Sequence, residues 1–163
     1  MEDRHVVLKL FAQEVGIEGD IDSFDARKDF QKAILIGQSL SGVDLGYRFN
    51  WYLRGPYSPA LARDYYQVAE AIELGDREHN RHVLVDSVKR KLEPIRRLLT
   101  NIPADFRLDR TDWLELLASW HYLRSVNKYD VVKATETMRR TKPRLAPYVD
   151  LAQRALSQFE NAG

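Results

Sequence analysis

Phe49-Asn50-Trp51-Tyr52-Leu53-Arg54-Gly55-Pro56-Tyr57-Ser58-Pro59-Ala60-Leu61 is the stretch around which this chain is organised. Just before Gly55, the residues Tyr47, Phe49, Trp51 and Leu53 alternate with Arg48, Asn50, Tyr52 and Arg54. Alternation of period two with aromatic residues on one side is the pattern of a short strand with one buried face. Gly55 tolerates backbone angles closed to other residues and Pro56 fixes φ, so Gly55-Pro56 is expected to end the strand in a stiff turn. Ser58 followed by Pro59 is a helix start. The serine hydroxyl can accept from an early helix N–H, and proline at the first helical position loses nothing by lacking its own N–H.

The junction has a structural reading and a functional one. In the first its aromatic residues fill the core. In the second the outward side chains Arg48, Asn50, Tyr52, Arg54 and Tyr57, with Trp51, Gly55, Pro56, Ser58 and Pro59 shaping the corner, meet a partner. Free N–H groups at the helix start suit an anion or a partner carboxylate, and a short edge strand can accept a partner strand.

Working outward, helical periodicity dominates the rest of the chain. Val6, Val7, Leu10, Phe11 and Val15 predict a helix over about Arg4 to Val15, stopped by Gly16. A second helix is expected over about Asp25 to Leu40, capped by Ser23 or Asp25, with Gln31 and Lys32 on or beside its polar face. A third follows the junction from Pro59 to about Leu74, and a fourth spans about His82 to Leu99, where Pro94 is expected to kink or split it. Asp109 or Thr111 caps a fifth, Asp112 to about Ser125, whose Trp113, Leu114, Leu116, Leu117, Trp120 and Leu123 make it the expected core element. Helices over about Asp130 to Arg140 and Pro147 to Phe159 complete the set. The fold expected is mainly α, one domain over residues 1–163, a bundle of about six to seven helices with a short strand or hairpin around 47–54.

Composition narrows the function. The chain has 163 residues, of which 44% are hydrophobic and 30% charged, an ordinary globular balance. It has no cysteine, which removes disulfides, thiolate metal sites and a cysteine nucleophile, and fits a reducing cytosol. The start Met1-Glu2-Asp3-Arg4-His5 has no signal-peptide pattern and no apolar run approaches a membrane span, so a cytoplasmic location without membrane contact is expected. A net charge of +1 supplies no global field for nucleic acid.

Candidate chemistry is sparse. The histidines are His5, His79, His82 and His121. His79 and His82 with Glu78 lack further ligands nearby and read as solvated link residues, so no metal and no cofactor is expected. Arg77 and His82 share the arginine–four residues–histidine spacing of HEPN ribonucleases, here in an interhelical link. His121 beside Trp120 reads as a core-edge residue. Asp109, Asp112 and Glu115 belong at a helix start, where acids offset the dipole. Arg139, Arg140, Lys142 and Arg144 form the best basic patch, with a second at Lys89, Arg90, Lys91, Arg96 and Arg97. Either is a solvated face or a contact for phosphates or an acidic partner.

Phe30-Gln31-Lys32-Ala33-Ile34-Leu35, then Tyr47 to Leu61, then Trp113-Leu114-Glu115-Leu116-Leu117-Ala118-Ser119, then Lys142-Pro143, resemble the uncharacterised bacterial and archaeal YwgA-like proteins over about residues 25–143. The Gly-Pro corner after an aromatic strand is also similar to the Panacea domain of SocA-like antitoxins, in which a W-x-x-GP core follows a QKLLY-like helix. Panacea domains more often follow Gly-Pro with Val or Ile, where this chain has Tyr57-Ser58. The resemblance implies a mostly helical domain that acts by binding, with Trp51, Gly55, Pro56, Tyr57, Ser58 and Pro59 as structural or partner-contacting positions and no catalytic residue. The resulting expectation is a non-enzymatic cytoplasmic interaction module, antitoxin-like or associated with phage defence. Its partner would be a toxin or defence protein, or a second copy. The alternatives are a nucleic-acid-binding regulator using Arg139 to Arg144 and a HEPN-like ribonuclease using Arg77 and His82.

Overall fold

The computed structural model describes residues 1–17, 21–53 and 55–162. Among them the chain forms seven α-helices and one two-stranded hairpin: α1 (Asp3–Glu14), α2 (Phe24–Ser41), β1 (Asn50–Tyr52), β2 (Gly55–Tyr57), α3 (Pro59–Glu73), α4 (Asp86–Thr100), α5 (Arg110–His121), α6 (Val131–Thr141) and α7 (Val149–Ala162). The mainly helical bundle with a short hairpin is the architecture that the periodicity implies.

Two helices form the centre. Residues Phe30 through Gly37 of α2 are all buried, as are Asp112 through His121 of α5. A helix buried on every side is enclosed by neighbours instead of lying on the surface. α5 packs along α2, α4 and α7 flank the pair, and α1 joins α3 to α2 and α4. Trp113 and Trp120 are both buried in this core. At Gly37 the chains approach so closely that an added Cβ would lie 2.6 Å from the Phe11 ring, so only glycine admits α1 there. On α1 the buried side is His5, Val6, Leu8, Phe11 and Ala12, and Val7, expected inside, is exposed.

The helix ends follow local chemistry. Ser23, Ser58, Asp109 and Asp130 each accept from a backbone N–H of the first turn, at Ala26, Leu61, Asp112 and Lys133. Pro59 occupies the first turn of α3 as expected. Two boundaries and one expected break differ from the sequence reading. α4 begins at Asp86 because His82 and Val85 are extended, with ψ of 155° and 151°. Pro94 sits inside α4 without splitting it. α5 stops at His121 and the chain continues as a wider π turn, Tyr122–Val126.

The hairpin also differs. β1 and β2 pair antiparallel, with Asn50 opposite Tyr57, Trp51 opposite Pro56 and Tyr52 opposite Gly55. Gly55-Pro56 therefore opens the second strand and is not the turn. Pro56 fits because, opposite Trp51, its missing N–H is not needed for the ladder. Leu53, expected on the buried face, is 85% exposed at the hairpin tip. Gly55 has φ +90°, and an added Cβ would lie 2.8 Å from the buried Ser119 Oγ. Both the backbone and the close approach require glycine. Gly55→Ala is expected to cost about 2 kcal/mol of stability in urea unfolding. The cost should fall, without vanishing, in a Ser119→Ala background, because only the contact is relieved.

Candidate functional site

The hairpin is fastened to the core by side chains doing the work of a third strand. On α2, the Gln31 amide donates to Ser58 O at 3.0 Å and accepts from Ser58 N–H at 2.9 Å. One turn-step away, Lys32 Nζ donates to Pro56 O at 2.6 Å. Along the outer edge of β2 the carbonyl of Pro56 and both backbone groups of Ser58 are thereby satisfied inside the protein, where unpaired polar groups are costly. Gln31 and Lys32 are each only 2% exposed, so the polar face assigned to them is in fact the hairpin's seat. The physical reason is that β2 covers the side of α2 that sequence periodicity leaves to solvent.

Beneath the hairpin, charged groups collect around Glu115. Lys28 Nζ lies 3.2 Å from one carboxylate oxygen of Glu115 and Lys142 Nζ 3.4 Å from the other. Lys142 also donates to Leu53 O at 3.4 Å and stands 5.5 Å from the centre of the Trp51 ring. Burial pulls the Lys32 amine down to about 7, with Lys142 and Lys28 adding to the shift and Glu115 opposing it. The hairpin thus rests on three amines and one carboxylate.

On the outer side lies a cleft of about 340 Å³ lined by Phe24, Arg27, Lys28, Gln31, Lys32, Tyr52, Leu53, Gly55, Tyr57, Tyr65 and Tyr66. Its walls are mostly apolar, and four large side chains stand open around it: Phe24 is 52% exposed, Tyr52 46%, Leu53 85% and Tyr66 51%. The rings are mutually braced. Tyr52 meets Tyr57 at 5.5 Å edge-on, and Tyr65 touches both Phe30 and Tyr66, at 5.3 and 5.0 Å. Lys28 Nζ lies 5.8 Å from the centre of the Phe24 ring.

Of the corner residues named from sequence, Arg48, Asn50 and Tyr52 are exposed and Tyr57 is half-buried in the cleft wall. Trp51 packs on Tyr122 at 5.9 Å, while Gly55, Pro56 and Ser58 are buried. Pro59 is exposed, and Arg54 lies outside the described residues. The basic run is broken up. Arg139 and Arg140 are exposed, but Lys142 is buried under the hairpin and Arg144 grips Asp112 through two bonds of 3.1 and 2.5 Å. In the second run, Arg90, Lys91, Arg96 and Arg97 are exposed and Lys89 is half-buried.

Of the remaining candidates, His121, His82 and Arg77 have local partners. His121 is buried, accepts or donates with Ser39 Oγ at 2.6 Å, and is pushed down to about 4 by desolvation. His79, expected in solvent, is buried, with its titration lowered chiefly by burial. His82 is exposed and lies 3.0 Å from Glu78, and Arg77 donates to Ile72 O and Asp76 O. Sequence reading missed a buried network in which Asp64 takes Tyr47 OH at 2.7 Å and His5 Nε2 at 3.2 Å. That network ties the segment before β1 to α1 and α3. It also missed Phe24, Lys28, Tyr65 and Tyr66. No local signal marked Gln31 and Lys32 for burial, because the strand that covers them comes from a later part of the chain.

Among the described residues no group of three or more His, Asp or Glu side chains is placed to hold a metal ion, and no helix is long and apolar enough to cross a membrane. Comparison of the chain with family models, curated proteins and solved structures finds no match.

Lys32 gives this site a pH signature. Its amine releases a proton near 7 when folded and near the ordinary 10.5 when unfolded. Between those values the unfolded chain holds the proton more firmly, so stability rises with pH; below about 7 the penalty of burying the charge is fully present. Stability in urea is expected to climb between about pH 7 and 9, with a slope of up to about 1.4 kcal/mol per pH unit. Lys32→Met should flatten that rise.

Proposed function

We propose that this chain is a protein-binding module whose contact surface is the tip of the β1–β2 hairpin and the aromatic cleft beside it. The observation that carries the proposal is the convergence of exposed Phe24, Tyr52, Leu53 and Tyr66 on one cleft. Contiguous apolar surface of this kind marks interaction sites in monomeric proteins, and aromatic side chains dominate the energetics of such contacts. The seat supplied by Gln31 and Lys32 holds the hairpin in place before any partner arrives, which lowers the ordering cost of binding.

The titratable groups support a binding role over turnover. Glu115 is shared between Lys28 and Lys142, Asp64 between His5 and Tyr47, and Asp112 is held by Arg144. The resemblance of the corner to Panacea domains extends the proposal: a cytoplasmic module whose partner is a toxin or defence protein. A nucleic-acid-binding role has less support, because Lys142 and Arg144 are committed and leave Arg139 and Arg140 of that run to meet phosphates. The HEPN-like ribonuclease reading has less still, with the Arg77 guanidinium given to backbone carbonyls.

The test begins with capture of a partner from the native host, its identification, and reassembly of the complex from purified components. Leu53→Asp combined with Tyr66→Ala is expected to abolish the complex while circular dichroism stays unchanged, because both side chains are exposed. Arg139→Ala with Arg140→Ala should leave it intact. The opposite pattern, or RNA cleavage by the isolated chain that disappears in His82→Ala, would overturn the proposal.

A further inference from the structure

We infer that the aromatic cleft takes a peptide segment of its partner in which a bulky apolar side chain stands next to a carboxylate. The apolar side chain would enter between Phe24, Tyr52 and Tyr66, and the carboxylate would meet Lys28. The inference rests on the interaction reading above and adds the chemistry of the occupant.

Two features of the cleft point to this occupant. Its walls are mostly apolar and its volume of about 340 Å³ suits one large side chain. Its inner wall, however, is cationic. Lys28 and Lys32 line it, Lys142 stands behind them, and Glu115 is the one carboxylate that acts on Lys32. Each oxygen of Glu115 already faces an amine, Lys28 at 3.2 Å and Lys142 at 3.4 Å. Among the described residues, Arg27, Lys28 and Lys32 line the cleft and no acidic residue does, in a chain whose net charge is only +1. A lining that offers cations and no carboxylate beside an apolar wall favours an incoming anion.

Lys28 is the amine in position to meet it. Its side chain is 13% exposed and reaches from the Phe24 ring to Glu115. A partner carboxylate there would form a charge-assisted contact shielded by the rings around it.

The same features disfavour single-stranded nucleic acid. Base stacking on tyrosines needs cations spread along a backbone track. Here the amines lie deep behind an apolar mouth, and the Arg27 guanidinium donates to Ile21 O and Asp22 O.

A random peptide library displayed on phage, panned on the intact folded chain, tests the inference. Enriched sequences are expected to pair Trp, Phe or Leu with Asp or Glu. The best of them, synthesised and measured by fluorescence anisotropy, should lose about tenfold in affinity with Tyr66→Ala and about tenfold with Lys28→Gln. Alanine in place of the peptide carboxylate should cost about the same on the native protein and nothing further on Lys28→Gln. The peptide-side substitution keeps the test sound if Lys28→Gln unfolds. Cleft-dependent peptides without acidic residues, weakened by Tyr66→Ala and indifferent to Lys28→Gln, would overturn the carboxylate and leave the interaction reading standing. A dimer that dissociates in Tyr66→Ala would make a second copy the occupant and overturn the inference. A library with no cleft-dependent peptide would overturn it too. If an oligothymidylate then bound with steep salt dependence, the interaction reading would fall as well.

Discussion

The hairpin stays where it is because one glutamine and one lysine of a buried helix stand in for a missing strand. A two-stranded hairpin of three-residue strands is not stable alone in water. Here the Gln31 amide completes both backbone groups of Ser58, and the Lys32 amine completes Pro56 O. Those bonds join α2 to the exact point at which β2 passes into α3. The start of α3, the tilt of the aromatic cleft and the position of the Leu53 tip all follow from that join. The same bonds close the outer edge of β2 to a partner strand.

Holding a lysine in the core has a cost. Burial disfavours the charged amine, and the lowered titration of Lys32 reflects this. Breaking such a cluster by removing one member is generally worse than never having built it, because the remaining groups are left uncompensated. Glu115 illustrates the constraint: it is only 9% exposed and tolerable there because Lys28 and Lys142 each take an oxygen. Arrangements of this kind fix one geometry at the expense of stability. At a surface meant to meet a partner, a hairpin with one geometry is useful, since less freedom remains to be lost on binding.

Much of the fold was legible in the sequence. Apolar spacing located all seven helices, and Ser58-Pro59 marked the start of α3 through a capping rule that depends on neighbours alone. What periodicity could not supply was which polar residues the fold would bury. Gln31 and Lys32 look solvated on a helical wheel, and only the long-range return of β2 makes them internal. Leu53 fails the strand alternation for a related reason. The turn falls two residues earlier than Gly55-Pro56 suggests, because Tyr52 already pairs with Gly55. The basic run from Arg139 to Arg144 is one patch in sequence and three environments in space. Of the cleft, only Tyr52 and Tyr57 were legible, as outward residues of the corner; Phe24 and Tyr66 belong to other elements and join them only after folding.

The central claim is that side chains of α2 fasten β2. Hydrogen exchange of the Ser58 amide tests it most directly, because that N–H donates to Gln31 Oε1. In the native protein it should exchange as slowly as the amides of α5, through unfolding of the whole core. In Gln31→Ala it should exchange faster while the α5 amides keep their protection. A Ser58 amide that exchanges rapidly in the native protein, or one whose protection survives Gln31→Ala, would contradict the account.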